Sequence, residues 1–448
     1  MANYPADLAG LISERLKRDK VRAPRLDVLT RFLEVIYFVS LKTEEAQPVR
    51  CWVTFLNPRD PDAQPPLPRS DRWSVISLAN RIPFNARNLA KLAPAADPWS
   101  TAIAAYHDKG ELYIWGLVDQ TVHASTALVR ESSPSYAPPG MFYVIAQGTA
   151  ELSVYREDGL IARLRQDTVI TRERDVLWRG PIYKRLLPSI RRLRYRVIKE
   201  AGSEAYDASF FSPGGIEEEW LGTLSRLLIG IQRYRHGGAL LISDTREDLR
   251  FKYPCRYNRL SECLIRRTVH QVRASAAMHE INDKYIQRDK HRLPMRLYYA
   301  EANARSQGED CDAELTGCVR FLSSLSRVDG LIHCDFELRC DGFGVEILVG
   351  GDPKQVFQAN ASDPSAKDLV PLDPSHFGMR HRSMMRFCAR HPGAVGFVIS
   401  QDGDIRVMVA EKSKLYVWEN VMVLQLWKEY VRRMDRRFKK KYGKGFGN

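Results

Sequence analysis

The chain has 448 residues, of which 44% are hydrophobic, 27% charged and 10% aromatic; this excludes collagen-like, mucin-like and wholly disordered polypeptides, and the length accommodates two or three domains. Lys and Arg number 68 against 54 Asp and Glu, a formal charge of +14, which favours anionic partners (nucleotide, nucleic acid, acidic protein or membrane face) without choosing among them. No stretch approaches the roughly 20 apolar residues of a membrane span, and Met1-Ala2-Asn3-Tyr4-Pro5-Ala6-Asp7 lacks a basic segment leading into an apolar core, so the expectation is a cytoplasmic protein with no membrane association.

Residues 1 to about 45 show helical spacing, with Leu8, Leu11, Ile12 and Leu16 on one stripe and Leu26, Leu29, Phe32, Leu33 and Ile36 on the next. Asn57 to Pro68 holds five prolines and is a loop. Strands follow at Leu112–Val118 and Met141–Ile145, and Leu152–Tyr155 meets Leu160–Ala162 across Glu157-Asp158-Gly159, a hairpin signal. These elements predict an N-terminal α+β domain over 1–175. A basic connector occupies 176–215; its charged run, Lys184 to Arg196, reads as a solvated helix face.

Beyond Ser212-Pro213-Gly214-Gly215 the pattern becomes α/β, predicting a second domain over 216–425 with a mixed sheet flanked by helices. Glu217-Glu218-Glu219 suits the positive end of a helix carrying Leu221, Leu224, Leu228 and Ile231, and His236-Gly237-Gly238 stops it before the buried strand Ala239–Ser243. A partly exposed helical stretch spans 256–290, and a helix spans Leu315–Leu325. Strands are expected at Gly330–Cys334, Leu338–Cys340 and Val345–Leu348. A loop rich in Asp, Pro and Ser covers 350–375, a short helix runs from Ser383 to Arg390, and Val395–Ile399 and Ile405–Val409 flank Asp402-Gly403, a type I′ hairpin signal. A last helix around 421–434 leads into the basic tail 426–448. Residues 428–448 hold nine basic and two acidic side chains, +7 of the net charge.

The eight cysteines form no C-x-x-C pair, and their spacings match no zinc ribbon, so reduced and mostly buried thiols are expected. No G-x-x-x-x-G-K-[ST] loop and no G-x-S-x-G elbow is present, and His279-Glu280 lacks the second histidine of a zinc-protease helix.

Three short segments carry the candidate chemistry: Val328-Asp329-Gly330-Leu331 at a helix-to-strand turn, Gly378-Met379-Arg380-His381-Arg382 just before a helix, and Ser400-Gln401-Asp402-Gly403 at a hairpin tip. Two guanidiniums at a helix N-terminus form a phosphate cradle. A turn aspartate can hold Mg²⁺ or Mn²⁺ through a hard oxygen, and a turn glycine lets backbone approach a base or ribose. His381 is expected to touch phosphate.

In their order these segments resemble the diadenylate cyclase domain, the catalytic module of the DNA-integrity scanning protein and its relatives. That family carries Asp-Gly-Ala, Thr-Arg-His-Arg and an acidic Ser-Glu-Glu hairpin. The likeness is best over 315–410 and extends back to His236–Leu241. The wording of Phe377–Ser383 and Ile399–Arg406, with Tyr113–Asp119 in the N-terminal half, is more similar still to a divergent branch described as probable sensor domains of the DACNV type. The resemblance implies an α/β domain that binds an adenine nucleotide or cyclic dinucleotide, working as a homo-oligomer. It assigns Asp329, Gly330, Leu331, Gly378, Met379, Arg380, His381, Arg382 and Ser400 to nucleotide, and Asp329 and Asp402 to Mg²⁺ or Mn²⁺ and to catalysis if the domain is active.

The departures from the family pattern matter equally. Leu331 stands where the motif has alanine, Met379 replaces a threonine hydroxyl, and Ala389-Arg390 lies where a Ser-Glu pair is expected. A site that keeps cations but loses a donor and an acid binds better than it turns over. The leading expectation is a nucleotide-binding sensor with a degenerate cyclase-like domain. The alternatives are an active diadenylate cyclase making cyclic di-AMP from two ATP, and a nucleic-acid-binding protein acting through 428–448.

Overall fold

A computed structural model describes residues 4–423 apart from 45–46, 65–72, 97–99, 120–138, 157–158, 166, 172–174, 203–212, 235, 287–293, 402–403 and 422. The expected helix at 421–434 and the basic tail lie outside the described residues. The chain divides into two units, one extending to Glu173 and one spanning Arg174–Leu424. Both are mixed α/β, as the sequence predicts.

In the first unit, α1 (Pro5–Arg18) and α2 (Leu26–Ser40) carry the two apolar stripes noted above. A two-stranded ladder follows, β1 (Thr43–Glu44) with β2 (Gln47–Pro48). The main sheet comprises β3 (Cys51–Phe55), β4 (Ser74–Pro83), β5 (Thr101–Asp108), β6 (Glu111–Asp119), β7 (Tyr143–Gly148), β8 (Glu151–Arg156), β9 (Gly159–Arg165) and β10 (Thr168–Ile170), with α3 (Ala86–Leu92) between β4 and β5. Its order is β10-β9-β8-β7-β3-β5-β6-β4, and β3 pairs parallel to β5 and antiparallel to β7. The expected hairpin is β8–β9, with Arg156 opposite Gly159. Phe32 of α2 anchors the helical side: its ring stacks on Phe84 at 4.9 Å and meets Phe55 and Phe142 edge-on at 5.1 and 5.8 Å, geometries that add to simple area burial.

The second unit is a nine-stranded sheet covered on both faces. Its strands are β11 (Gly238–Ile242), β12 (Leu249–Tyr257), β13 (Leu331–Cys334), β14 (Cys340–Ile347), β15 (Val356–Ala359), β16 (Leu369–Pro371), β17 (Val395–Ile399), β18 (Ile405–Glu411) and β19 (Lys414–Trp418). Their order is β12-β14-β13-β11-β17-β18-β19-β15-β16. Helices α4 (Gly180–Ala201), α5 (Pro213–Arg233), α6 (Arg259–Ile281) and α7 (Met295–Leu325) share one core with Leu240, Ile242, Ile332 and Phe397. Helix α8 (Met379–Arg390) covers the other face, where Met384, Met385 and Cys388 meet Ala239, Leu241 and Val398. The alternation of Leu240 and Ile242 against Ala239 and Leu241 explains why β11 is an unbroken apolar run: both its faces are buried.

The charged run from Lys184 to Arg196 is a solvated helix face, as expected: it belongs to α4, whose Ile182, Leu186, Ile190, Leu193 and Val197 are buried at helical spacing. Several other expectations are corrected. Helix α7 begins at Met295, twenty residues before the expected start, and α8 begins at Met379 rather than Ser383. Leu338 is not in a strand: with φ of 60° it closes the turn from Asp335 to Arg339, and β14 starts at Cys340. The stretch 350–375 is not all loop, because β15 and β16 add an antiparallel pair at the sheet edge. Finally, Ile399 pairs with Ile405, and Ser400 N–H donates to Asp404 C=O at 2.9 Å. The expected turn residues Asp402-Gly403 lie outside the described residues.

Candidate site at a glycine-lined sheet rim

The strand register decides where the three motifs meet. On parallel β11 and β13, Leu240 is level with Ile332, which sets Gly238 level with Gly330; on antiparallel β17, Ile399 is opposite Gly238. The Asp329-Gly330 turn, the Gly237-Gly238 turn and the Ser400-Gln401 hairpin end therefore occupy one rim of the sheet on three adjacent strands. With strands about 4.8 Å apart, the rim spans about 10 Å.

Helix α8 brings the third motif to the same rim. Gly396 of β17 makes this possible: a β-carbon there would lie 2.4 Å from Met384 Sδ and 2.9 Å from Cys388 Sγ, so the bare glycine lets α8 settle close to the sheet. With Gly378 as its N-cap, α8 places Arg380 and His381 in its first turn, which holds no acidic residue. The Arg380 guanidinium reaches Gly237, where a β-carbon would sit 2.7 Å from Nη1 and 3.4 Å from the backbone nitrogen of Gln401. Gly237 has φ of 71°, so its conformation and its missing side chain both serve this approach.

Arg380 is half-buried, and its side chain makes no hydrogen bond or ion pair among the described residues. The same holds for the exposed Asp329 carboxylate. A cation at the positive end of a helix opposes the helix dipole, typically by 0.3–1 kcal/mol. An anion at the rim would relieve that conflict and accept from the guanidinium and the free first-turn N–H groups.

The remaining motif residues are engaged elsewhere. Arg382 is held by Asp352, Nη2 to Oδ2 at 2.6 Å, and Arg386 Nε takes the other carboxylate oxygen at 2.7 Å. These two guanidiniums hold the Asp352 carboxyl below the ordinary carboxylate range. Among the described residues, the Arg-His-Arg triplet thus offers one unpaired cation at the rim. Nη1 of Arg406 donates to His381 Nε2 at 3.0 Å, and Arg406 in turn binds Glu419 at 2.8 Å and Asp404 at 3.2 Å. Ser400 Oγ accepts from Asp404 N–H at 3.0 Å, closing the hairpin. Leu331 is buried in the core beneath α8, Met379 is 68% exposed, and Gly378 caps the helix. Asp402 lies outside the described residues. Sequence reasoning missed Asp352, Arg406 and Glu419 as partners, since no local pattern reports pairing across 13 to 34 residues.

For a divalent cation, the described residues contain no group of three His, Cys, Asp or Glu side chains able to hold one. Asp329 supplies a single unpaired carboxylate. That donor fits a Mg²⁺ or Mn²⁺ that takes its other ligands from phosphate oxygens and water, not an all-protein cage.

Burial, and next to it the charge of Arg406, push the His381 imidazole down to about 4 from its ordinary 6.5. In the folded protein it is neutral, while the unfolded chain takes up a proton near 6.5. Stability is therefore unaffected by His381 above pH 6.5 and falls as the pH drops from there to about 4, by up to about 3 kcal/mol before screening of its exposed part. Urea midpoints measured between pH 7.5 and 4 are expected to show this loss, and a His381→Gln variant is expected to show a shallower fall; parallel profiles would refute the assignment.

Residues 18–119 match the family model described as Probable sensor domain DACNV. A segment of the N-terminal unit is therefore similar to the DACNV family of probable sensor domains. The match runs from the end of α1 to the end of β6 and includes Tyr113–Asp119, the N-terminal segment that carried the resemblance. The DACNV segment contributes α2, α3 and strands β3 to β6, with the Phe32 and Phe55 rings of the core and Trp115, whose Nε1–H donates to Leu56 C=O at 2.9 Å. The cyclase-like motifs at 329–404 lie outside the match. No curated protein matches the chain. No described helix is long and apolar enough to cross a membrane.

Proposed function

We propose that the Arg174–Leu424 unit binds an adenine nucleotide or cyclic dinucleotide at the glycine-lined rim, and that the protein is a nucleotide sensor whose DACNV segment relays occupancy. One observation carries this reading: Arg380, a half-buried cation without a partner among the described residues, stands at the N-terminus of α8 over Gly237. An unpaired guanidinium held in that position is stabilised by a phosphate oxygen. The adenine preference comes from the resemblance of the three motifs, and the phosphate preference from this geometry.

Calorimetric titration of the full chain with ATP and with cyclic di-AMP, with and without Mn²⁺, tests it. Binding of at least one ligand is expected. Where Mn²⁺ strengthens ATP binding, Asp329→Asn is expected to remove that strengthening and leave metal-free affinity unchanged. No binding of either ligand would overturn the reading.

The exposed, unpaired Asp329 carboxylate favours a second reading, a working diadenylate cyclase. Its mark is cyclic di-AMP formed from ATP and Mn²⁺ and absent in Asp329→Asn.

A further inference from the structure

The β12–β14–β13 side of the second sheet carries a row of three thiols. Cys334 and Cys340 are direct partners across β13 and β14. The next pair along is hydrogen-bonded, Asp335 N–H to Arg339 C=O at 3.0 Å. Ladder alternation then puts Cys334 and Cys340 at a non-hydrogen-bonded position, where Cα atoms approach to about 4.5 Å, within the roughly 4.4–6.8 Å that a disulfide spans. Cys255 sits on β12 in the irregularity between Pro254 and Tyr257, and those residues pair with Gly342 and Cys340. The Cys340 thiol donates to Gly342 C=O at 3.5 Å, and Gly342 is the partner of Pro254, next to Cys255. All three are free thiols; Cys334 and Cys340 are buried and Cys255 is half-buried, leaving a way in from solvent.

The row is chemically graded. Hydrogen bonding from Cys334 holds the central Cys340 thiol below its ordinary range, while burial pushes Cys255 up to about 11. Elsewhere, burial pushes Cys51 and Cys388 up to about 12. Cys340 is the central residue of the row, directly opposite Cys334 on one side and facing the Cys255 irregularity on the other, so a thiol lies on either side to complete a bond.

We propose that Cys340 and Cys255 form a reversible disulfide when the protein meets a hydroperoxide, with Cys334 in reach as an exchange partner. The Cys340 sulfur attacks the terminal peroxide oxygen, the O–O bond breaks, and alcohol or water leaves with the thiol proton, giving a sulfenic acid. The Cys255 sulfur then attacks Cys340 Sγ, the S–O bond breaks, and water leaves as the S–S bond forms. Two electrons pass from the two thiols to the peroxide. Attack of Cys334 on Cys340 Sγ releases Cys255 as a thiol and moves the bond to the buried pair. Either bond staples β14 to a neighbouring strand.

The test treats the full chain with hydrogen peroxide, blocks the remaining thiols, and maps unreduced peptides by mass spectrometry; in parallel, a dimedone-type probe traps sulfenic acid. The expected result is loss of two of the eight thiols, one cross-link joining Cys340 to Cys255 or Cys334, reversal by dithiothreitol, and the probe on Cys340. Cys340→Ser is expected to abolish every cross-link in the row, and Cys255→Ser to leave the probe adduct or the Cys334–Cys340 bond. Cross-links confined to other cysteines, a probe adduct only outside the row, or eight intact thiols at peroxide levels that oxidise free cysteine would each overturn the proposal. The wild-type maps decide the matter even if a serine variant does not fold.

Discussion

Gly330→Ala is expected to destabilise the second unit by about 4 kcal/mol, the sum of a strained backbone and a forced contact. Gly330 has φ of 114°, a conformation that L side chains rarely adopt, and a β-carbon there would lie 2.6–2.8 Å from the backbone of Gly344 and Val345. Both contacts are main-chain atoms of β14, so no rotamer change relieves them. Against a domain stability of about 5–15 kcal/mol the loss is severe. Gly350→Ala is the matched control: the position is exposed, no atom lies within 4 Å of the added carbon, and a change within about 0.5 kcal/mol is expected. Chemical denaturation followed by circular dichroism reads both variants. A loss below 1 kcal/mol for Gly330→Ala would show that β14 gives way, and the rim would then not be fixed by this turn.

Arg380→Ala is expected to weaken nucleotide binding by about 10- to 150-fold, the worth of a charge-assisted hydrogen bond of roughly 1.5–3 kcal/mol. Arg382→Ala is expected to cost less than about 5-fold, although both residues belong to the same triplet. The difference lies in their surroundings. Arg382 is committed to Asp352 at 2.6 Å, whereas Arg380 lies over Gly237 without a partner among the described residues. Titration of both variants under one salt condition separates them, because surface charge effects scale with ionic strength and would move the two alike. Equal losses would mean that ligand draws Arg382 away from Asp352. No loss for Arg380→Ala would remove the rim from consideration.

The elements most legible in the sequence are those whose pattern is local. The runs at Ala239–Ile242 and Val395–Ile399 are buried strands because their unbroken apolar character leaves no solvated face. The helix at α4 is legible too: its Arg and Lys face reads as solvated, and Ile182, Leu186, Ile190, Leu193 and Val197 recur at helical spacing behind it. Strands β15 and β16, of four and three residues, are too short to display a period at all.

By itself, the sequence determined the strongly periodic helices and the unbroken apolar strands and singled out the three motif segments, because hydrophobic spacing and turn chemistry act over a few residues. Only the tertiary structure decided that the segments share one rim, through the register of β11 with β13 and β17. It also separated the two arginines of one triplet. Two residues apart on a helix they project about 200° from one another, one over Gly237 and the other onto Asp352, and which of them keeps its charge unpaired depends on a loop thirty residues away.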